Sequence, residues 1–439
     1  MAGRFYVLSV FCCFAFCQTA VWMTFSSVPK FTESVYNVGK GEVDLLLNWG
    51  SIMFVPSVVI SSWILTTRNG LKRTAILGFL LTFLGSLVRL VPTFIPGTFR
   101  KSAYGHACLH VGQIFNAIAG AASMGAASRL SADWFPESQR TRVTASVYAA
   151  SNLAVTVTAV IGPAIVTSDD KLPTLLYCLA GVSFVPFVSS FIHFPSSAVK
   201  ISPATAITNA KAPTDDSLPL ITNDTRKKLQ KVSFIKGVMK VSRSYSAMAL
   251  FFASGIMGGM TNIYMSVLPT GMNAEGQDET KGDLLNSMGT LASILGGILI
   301  GYIADRFFQR HLKDVLVTII FTSFVFFFGL VYTIYLRPEL FWFQVVCSLV
   351  SGFAQGGRDA LTAELGAELT YPADEGTSAG IYTLIYSVAA LLLIVAAPLL
   401  STIWLGVALL AGLLLTLGLV VTIKEQYCRR SATDNETIN

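Results

Sequence analysis

Runs of twenty or more apolar residues, separated by polar loops, recur along the whole chain and fix what it can fold into. A hydrocarbon layer is about 30 Å thick and an α-helix rises about 1.5 Å per residue, so each run is long enough to cross it. No water is present there to satisfy backbone amides, which restricts spanning structures to helices and closed barrels. A barrel would show segments of about ten residues with alternating polarity; the runs here are continuous. Composition agrees, with 53% of the 439 residues hydrophobic and 13% charged, against about 25% charged in soluble domains. The first run, residues 5–28, lacks a small-residue cleavage site and exceeds a signal h-region, so it is expected to be retained.

The runs predict twelve spans near residues 5–29, 43–65, 74–94, 107–132, 141–166, 173–194, 244–270, 282–304, 313–336, 340–363, 376–399 and 401–423. Between the sixth and seventh lies a stretch of Pro, Ser, Thr, Asn and Lys without hydrophobic period. The expected architecture is an all-α membrane protein of two pseudo-symmetric six-helix bundles. The first takes residues 1–194 and the second 244–423, joined by a linker at 195–243 and followed by a tail at 424–439.

Lys and Arg set the orientation. They are sparse in the odd-numbered loops and dense in the even-numbered ones, where Arg68, Lys72, Arg73, Arg140, Arg142, Arg306, Arg310 and Lys313 lie. Both termini are therefore expected in the cytoplasm. The net charge of +6 reports this loop placement and gives no reason to expect nucleic acid as a partner. Six of seven cysteines sit inside apolar runs and none forms a C-x-x-C pair, so packing is expected for them rather than metal binding.

The halves echo one another. Arg68, after span two, and Arg306, after span eight, are 238 positions apart. Arg129-Leu-Ser-Ala-Asp133 and Glu364-Leu-Gly-Ala-Glu368 are offset by 235 and each runs on to a proline, Pro136 or Pro372. Two matching offsets at corresponding loops argue for an internally duplicated transporter.

The Asp305-Arg306 loop resembles the signature of the major facilitator superfamily between spans two and three and its repeat; in the first copy Thr67 stands where that family usually has Asp. An acid at a span end can bond a neighbouring helix terminus and hold that side shut. A closer resemblance is carried by Gly70-Leu-Lys-Arg-Thr74-Ala-Ile-Leu-Gly78, Gly112-Gln113, Trp134-Phe-Pro-Glu137 and Glu364-x-x-x-Glu368-x-Thr370-Tyr371-Pro372-x-x-Glu375-Gly376-Thr377-Ser378. Together these resemble the solute carriers of the feline leukaemia virus subgroup C receptor family, which includes the disrupted-in-renal-carcinoma-type lysosomal member. The resemblance implies a small-molecule transporter that does not hydrolyse ATP; relatives are linked to choline and ethanolamine, to pyridoxine and to haem. It also matches Trp22 to the family's span-one aromatic, part of a cage for cationic head groups, where each aromatic face is worth about 0.5–2 kcal/mol. Where choline-type members place span-seven aromatics and glutamines in spans five and eleven, this chain has Thr261-Asn262, Asn152 and Ser387.

The candidate solute-binding residues are thus Gln18, Trp22, Gln113, Asn116, Asn152, Asn262, Tyr264, Tyr382 and Tyr386. Gln113 and Asn116 are three apart and share a helix face. Charges at membrane depth cost roughly 2.5–3.5 kcal/mol each by insertion scales, which singles out Arg358 and Asp359 in span ten. As helix neighbours they point about 100° apart and are expected to seek different partners, reading an anionic group or coupling transport to protons. Arg129 and Glu364, equivalent in the two halves and opposite in charge, are expected to form a cytoplasmic gate. Arg68, Asp305, Arg306 and Glu368 complete the gating set.

His106 and His110 share a face near the outer end of span four, but no carboxylate is near them in sequence, and no metal or cofactor is expected. In the linker, Asp216, Leu220 and Ile221 fit an acidic dileucine pattern that sorting adaptors read, which admits an endosomal or lysosomal membrane beside the plasma membrane. The sequons at Asn223 and Asn435 are expected on the cytoplasmic side and unglycosylated. Pyridoxine is the first substrate candidate and choline or ethanolamine the second. A haem or porphyrin transporter and a non-transporting receptor or scaffold are the rivals. An enzyme is not expected: the chain has no G-x-S-x-G, no histidine-rich cluster and no paired embedded carboxylates away from a span end. The expected partners are the bilayer, a small polar or cationic solute, protons, and sorting adaptors.

Overall fold

The computed structural model describes residues 2–67, 69–95, 97–193, 234–371, 373–425 and 427, and among them there is no strand. The first half consists of α1 (Ala2–Ser27), the short α2 (Pro29–Tyr36), α3 (Lys40–Leu65), α4 (Gly70–Phe94), α5 (Ala103–Trp134), α6 (Arg140–Ile165) and α7 (Leu172–His193). After α8 (Phe234–Arg243) the second half comprises α9 (Tyr245–Ala274), α10 (Glu279–Phe307), α11 (Leu312–Leu336), α12 (Phe341–Gly356), α13 (Arg358–Thr370), α14 (Glu375–Ala396) and α15 (Thr402–Thr422).

Ten of these helices are long and apolar enough to cross a membrane. Expected spans four and ten fall short for opposite reasons. α5 has 32 residues but is diluted by Gly, Ala and Ser. Span ten is divided into α12, of 16 residues, and α13, of 13. The division falls at Gly356-Gly357, where two residues of poor helix propensity adjoin. The last ten residues of the expected linker form α8, which packs on α9 and α14.

Packing repeats across the halves. α1 packs on α6, α3 on α5 and α4 on α7, as α9 packs on α14, α10 on α12 and α11 on α15. Lipid offers helices no hydrophobic drive to associate, so close approach of small residues substitutes for it. On α12, Gly352 and Gly356 lie against the Gly289 and Ser293 carbonyls of α10, and a Cβ on either would overlap them. Each half has its own buried apolar core, around Phe11, Phe14 and Phe79 in the first and around Phe251, Tyr264 and Phe327 in the second.

The halves meet through α3 with α14, α6 with α10, and α5 and α6 with α13 and α14. Their close contacts gather at the basic face, the end that carries the Arg- and Lys-rich loops. There Gly380 accommodates the Ser62 side chain, Gly376 abuts Leu65, and Gly301 abuts Arg142 and Ala145.

Candidate functional site

Between the halves, above these contacts, lies a cavity of ≈ 190 Å³. α6 contributes Tyr148 and Asn152, α9 Asn262, α10 Asn286, the α12–α13 break Gln355, Arg358 and Asp359, and α14 Tyr382 and Tyr386. Six candidates from the sequence therefore come together here: Asn152, Asn262, Arg358, Asp359, Tyr382 and Tyr386.

Arg358 and Asp359 do not seek separate partners, as their helical spacing suggested. The helix restarts after Gly357, so both stand in the first turn of α13, and the guanidinium folds back onto its neighbour. Nε lies 3.0 Å and Nη2 2.8 Å from Oδ1, and Nη2 lies 3.0 Å from Oδ2. Nη1 donates to Gln355 Oε1 at 3.1 Å, and Tyr382 donates its hydroxyl to Asp359 Oδ1 at 2.5 Å. Arg358 is 5% exposed, a depth at which an uncompensated charge is not tolerated. Gly258 lets Tyr386 and Arg358 approach; a Cβ there would stand 2.7 Å from both. Asn262 donates to the Tyr386 oxygen at 2.8 Å, which leaves the Tyr386 proton available to a solute.

The other candidates lie elsewhere. Gln18 and Asn116 clamp α1 to α5, each donating to the other's backbone carbonyl at 3.2 and 3.0 Å. Gln113 donates to the carbonyls of Trp22 and Leu46. Trp22 donates to the Leu47 carbonyl at 2.9 Å, with its ring over Gly50, so it joins α1 to α3 and is not in the cavity wall. Tyr264 is fully buried in the core of the second half. For these five, packing replaces the expected solute contact: backbone carbonyls of adjacent helices take the donors of Gln18, Trp22, Gln113 and Asn116, and Tyr264 is enclosed in the apolar core.

Sequence reasoning missed Arg89 on α4, which is 1% exposed. Its Nη1 donates to the Val21 carbonyl at 2.9 Å, Thr24 Oγ1 at 3.2 Å and Gln113 Oε1 at 3.4 Å, and its guanidinium lies 5.4 Å from the Phe25 ring centroid. A charge inside span three was signal enough to find it. Tyr148, Asn286 and Gln355 were also missed; nothing in their local sequence separates them from packing residues.

At the basic face the expected Arg129–Glu364 gate is not formed. Arg129 instead bonds Asp374 of the opposite half and Asp133, the latter at 3.0 Å, with Glu375 at 3.9 Å. Glu364 is buried and accepts from Ser131 Oγ at 3.3 Å. Glu368 is likewise buried on α13. Burial outweighs the Arg129 guanidinium and pushes the Asp374 carboxyl up to about 6. Asp305, at the end of α10, accepts from the backbone amides of Thr141 at 3.1 Å and Arg142 at 2.9 Å. It thereby caps α6 of the other half, where the helix dipole favours an anion. Arg306 beside it is exposed. Arg68, the dileucine residues Asp216, Leu220 and Ile221, and both sequons lie outside the described residues.

Toward the opposite face, the fold brings a carboxylate to the histidine pair that the sequence had left without one. Glu42 Oε1 lies 3.4 Å from both His106 Nδ1 and His110 Nε2. Trp49 donates to His110 Nδ1 at 2.9 Å, so a neutral His110 carries its proton on Nε2 and presents no lone pair there. Among the described residues no cluster is placed to hold a metal ion.

Two six-helix halves, closed at one face around a central polar cavity, define a membrane transporter, and the Major Facilitator Superfamily model matches residues 10–310 and 250–435. The chain belongs to that superfamily. It is 25% identical over 97% of its length to the solute carrier family 49 member 4 homolog of Xenopus tropicalis, covering 92% of that protein. It is also 25% identical over 87% of its length to the choline/ethanolamine transporter FLVCR1 of Felis catus, covering 64% of that protein. These are the relatives that the motif resemblance implied. Among solved structures, the proton:xylose symporter XylE bound to 6-bromo-6-deoxy-D-glucose superposes with a TM-score of 0.68 at 11% identity, covering 98% of each chain.

Proposed function

We propose that this transporter carries a small, polar, nitrogen-containing organic solute by alternating access, with the central cavity as its binding site and pyridoxine-like compounds as first candidates. The charge balance of the cavity carries the reading. Arg358 and Asp359 neutralise one another, and the remaining wall offers amides, hydroxyls and tyrosine rings. A hydroxylated pyridine presents a flat face to Tyr382 or Tyr386 and hydroxyls to Asn152 and the Tyr386 proton. A fixed cation such as choline would be drawn to a free carboxylate or to the span-one aromatic; here Asp359 is engaged and Trp22 stands apart. Choline or ethanolamine is the second candidate, on the activity for which the feline relative is named. Against a porphyrin, ≈ 190 Å³ is below the roughly 300–1,000 Å³ of drug-sized ligand sites, and both histidines are engaged.

In this reading the basic face is cytoplasmic, the state is outward-facing, and Asp305 and the Arg129–Asp374 pair hold the inner side shut. Arg358–Asp359 is the candidate for proton coupling. The dileucine in the linker addresses the chain to endolysosomal membranes, and its disruption leaves the protein at the cell surface.

Uptake of radiolabelled pyridoxine, choline and ethanolamine, at pH 5 and 7.5, into cells expressing the Leu220→Ala/Ile221→Ala chain tests this. Saturable pyridoxine uptake that Asn152→Ala and Tyr386→Phe depress, with surface expression intact, is the expected result. Uptake of choline alone would move the assignment to the second candidate; flux of none of the three would remove it.

A further inference from the structure

A second cavity, of ≈ 290 Å³, lies beside the α6–α10 junction at the basic face, lined by Ser138, Arg142, Tyr302, Asp305, Arg306 and Gln309. Its acid is already engaged, since both Asp305 oxygens accept backbone amides. Its two guanidiniums are not: among the described residues neither the Arg142 nor the Arg306 side chain forms an ion pair. Arg142 is held in the wall with its guanidinium carbon 5.9 Å from the Tyr302 ring centroid, and Arg306 is exposed. One cation comes from each half of the molecule. From the same rim α10 exposes Leu295, Ile298, Leu299 and Tyr302, spaced three and four apart and so on one face, running from the basic face toward the hydrocarbon.

We propose that this pocket seats the phosphate of an anionic phospholipid, bridging Arg142 and Arg306 while its acyl chains lie along the Leu295–Tyr302 strip. Guanidinium groups match phosphate oxygens in geometry and charge, and basic pockets between helices at a cytoplasmic face are suited to lipid head groups. The adjoining apolar strip favours a lipid over a soluble phosphate, which would use the cavity and leave the strip unused. A zwitterionic lipid brings no net negative charge to offset the two uncompensated cations.

The test is native mass spectrometry of the full chain extracted from bilayers of phosphatidylcholine with a minority of phosphatidylserine. Two cations near an anionic head group give an expected retention of phosphatidylserine on the order of thirtyfold above its bulk share. Arg142→Gln with Arg306→Gln should abolish the preference and the paired Lys substitutions should restore it. Lys72→Gln with Arg73→Gln, which removes equal charge from the same face, should leave it intact. Equal retention in the Arg142/Arg306 glutamine variant, equal loss in the Lys72/Arg73 variant, or displacement of the lipid by glycerol 3-phosphate would overturn the proposal, the last by assigning the pocket to free phosphate esters.

Discussion

Asp305→Ala is the perturbation that most directly tests how the halves are held together. The carboxylate accepts two amides of α6 across the junction, at 3.1 and 2.9 Å, and is 3% exposed. Charge-assisted bonds of this kind contribute about 1.5–3 kcal/mol each, and the α6 dipole adds about 0.3–1 kcal/mol. Desolvation of the acid offsets part of that. The closed basic face should therefore lose about 2–3 kcal/mol relative to the open one, a shift of roughly 30–150-fold in the conformational equilibrium. Spin labels at Ser138→Cys and His311→Cys, both exposed and in opposite halves, read it by dipolar spectroscopy in a background free of native cysteines. Asp305→Ala should move the distance distribution to longer separations. Asp305→Asn, which keeps one acceptor but turns an NH2 toward the second amide, should fall between. An unchanged distribution in folded Asp305→Ala protein would refute the reasoning and reduce Asp305 to a helix cap of local importance.

Two further outcomes follow from groups around the site. In the closed state burial holds Asp374 near 6, whereas a solvated aspartate titrates near 3.9, so the closed state binds the proton more tightly. Acidification from pH 7 to pH 5 should accordingly favour the closed state, by roughly tenfold from this group, and Asp374→Asn should remove that component from the same dipolar measurement. Asp359→Ala would strand Arg358, and loss of one partner of a buried pair costs about 3–5 kcal/mol. Its thermal stability should fall sharply, and Arg358→Met/Asp359→Leu should recover it without recovering flux; a single variant as stable as the wild type would show that the pair is solvated.

What could be read from the sequence was whatever one helix decides for itself. Ten spans are set by apolar length alone, and the break in span ten was marked by the Gly356-Gly357 pair, although its consequence was not. With a continuous helix Arg358 and Asp359 diverge; with a restart after Gly357 they converge, so one backbone break reversed the expected pairing. Partners across the junction depend on the register between helices more than 160 residues apart in sequence, which no local pattern encodes. That is why Arg129 was matched to Glu364 by pseudo-symmetry when its partner is Asp374. Trp22 was placed at the solute by the family resemblance and Gln113 for being polar within a span, and both donate to backbone carbonyls instead.

The junction also shows how far the duplication has drifted. α6 and α14 begin at equivalent positions, Arg140 and Glu375, and each exposes unsatisfied amides to the other half. At α6 those amides are met from across the junction by Asp305. The equivalent of Asp305 is Thr67, whose hydroxyl turns back to the Ile64 carbonyl at 2.7 Å and cannot cap α14. There α14 supplies its own cap, Asp374 accepting from Gly376 at 2.9 Å, and the cross-half contact is made by Arg129 reaching that cap. One junction is thus a carboxylate on a helix terminus and the other a guanidinium on a capping carboxylate. A transporter built this way holds its halves in register through two devices of different chemistry, and acid favours the Asp374 side, where burial penalises the charge.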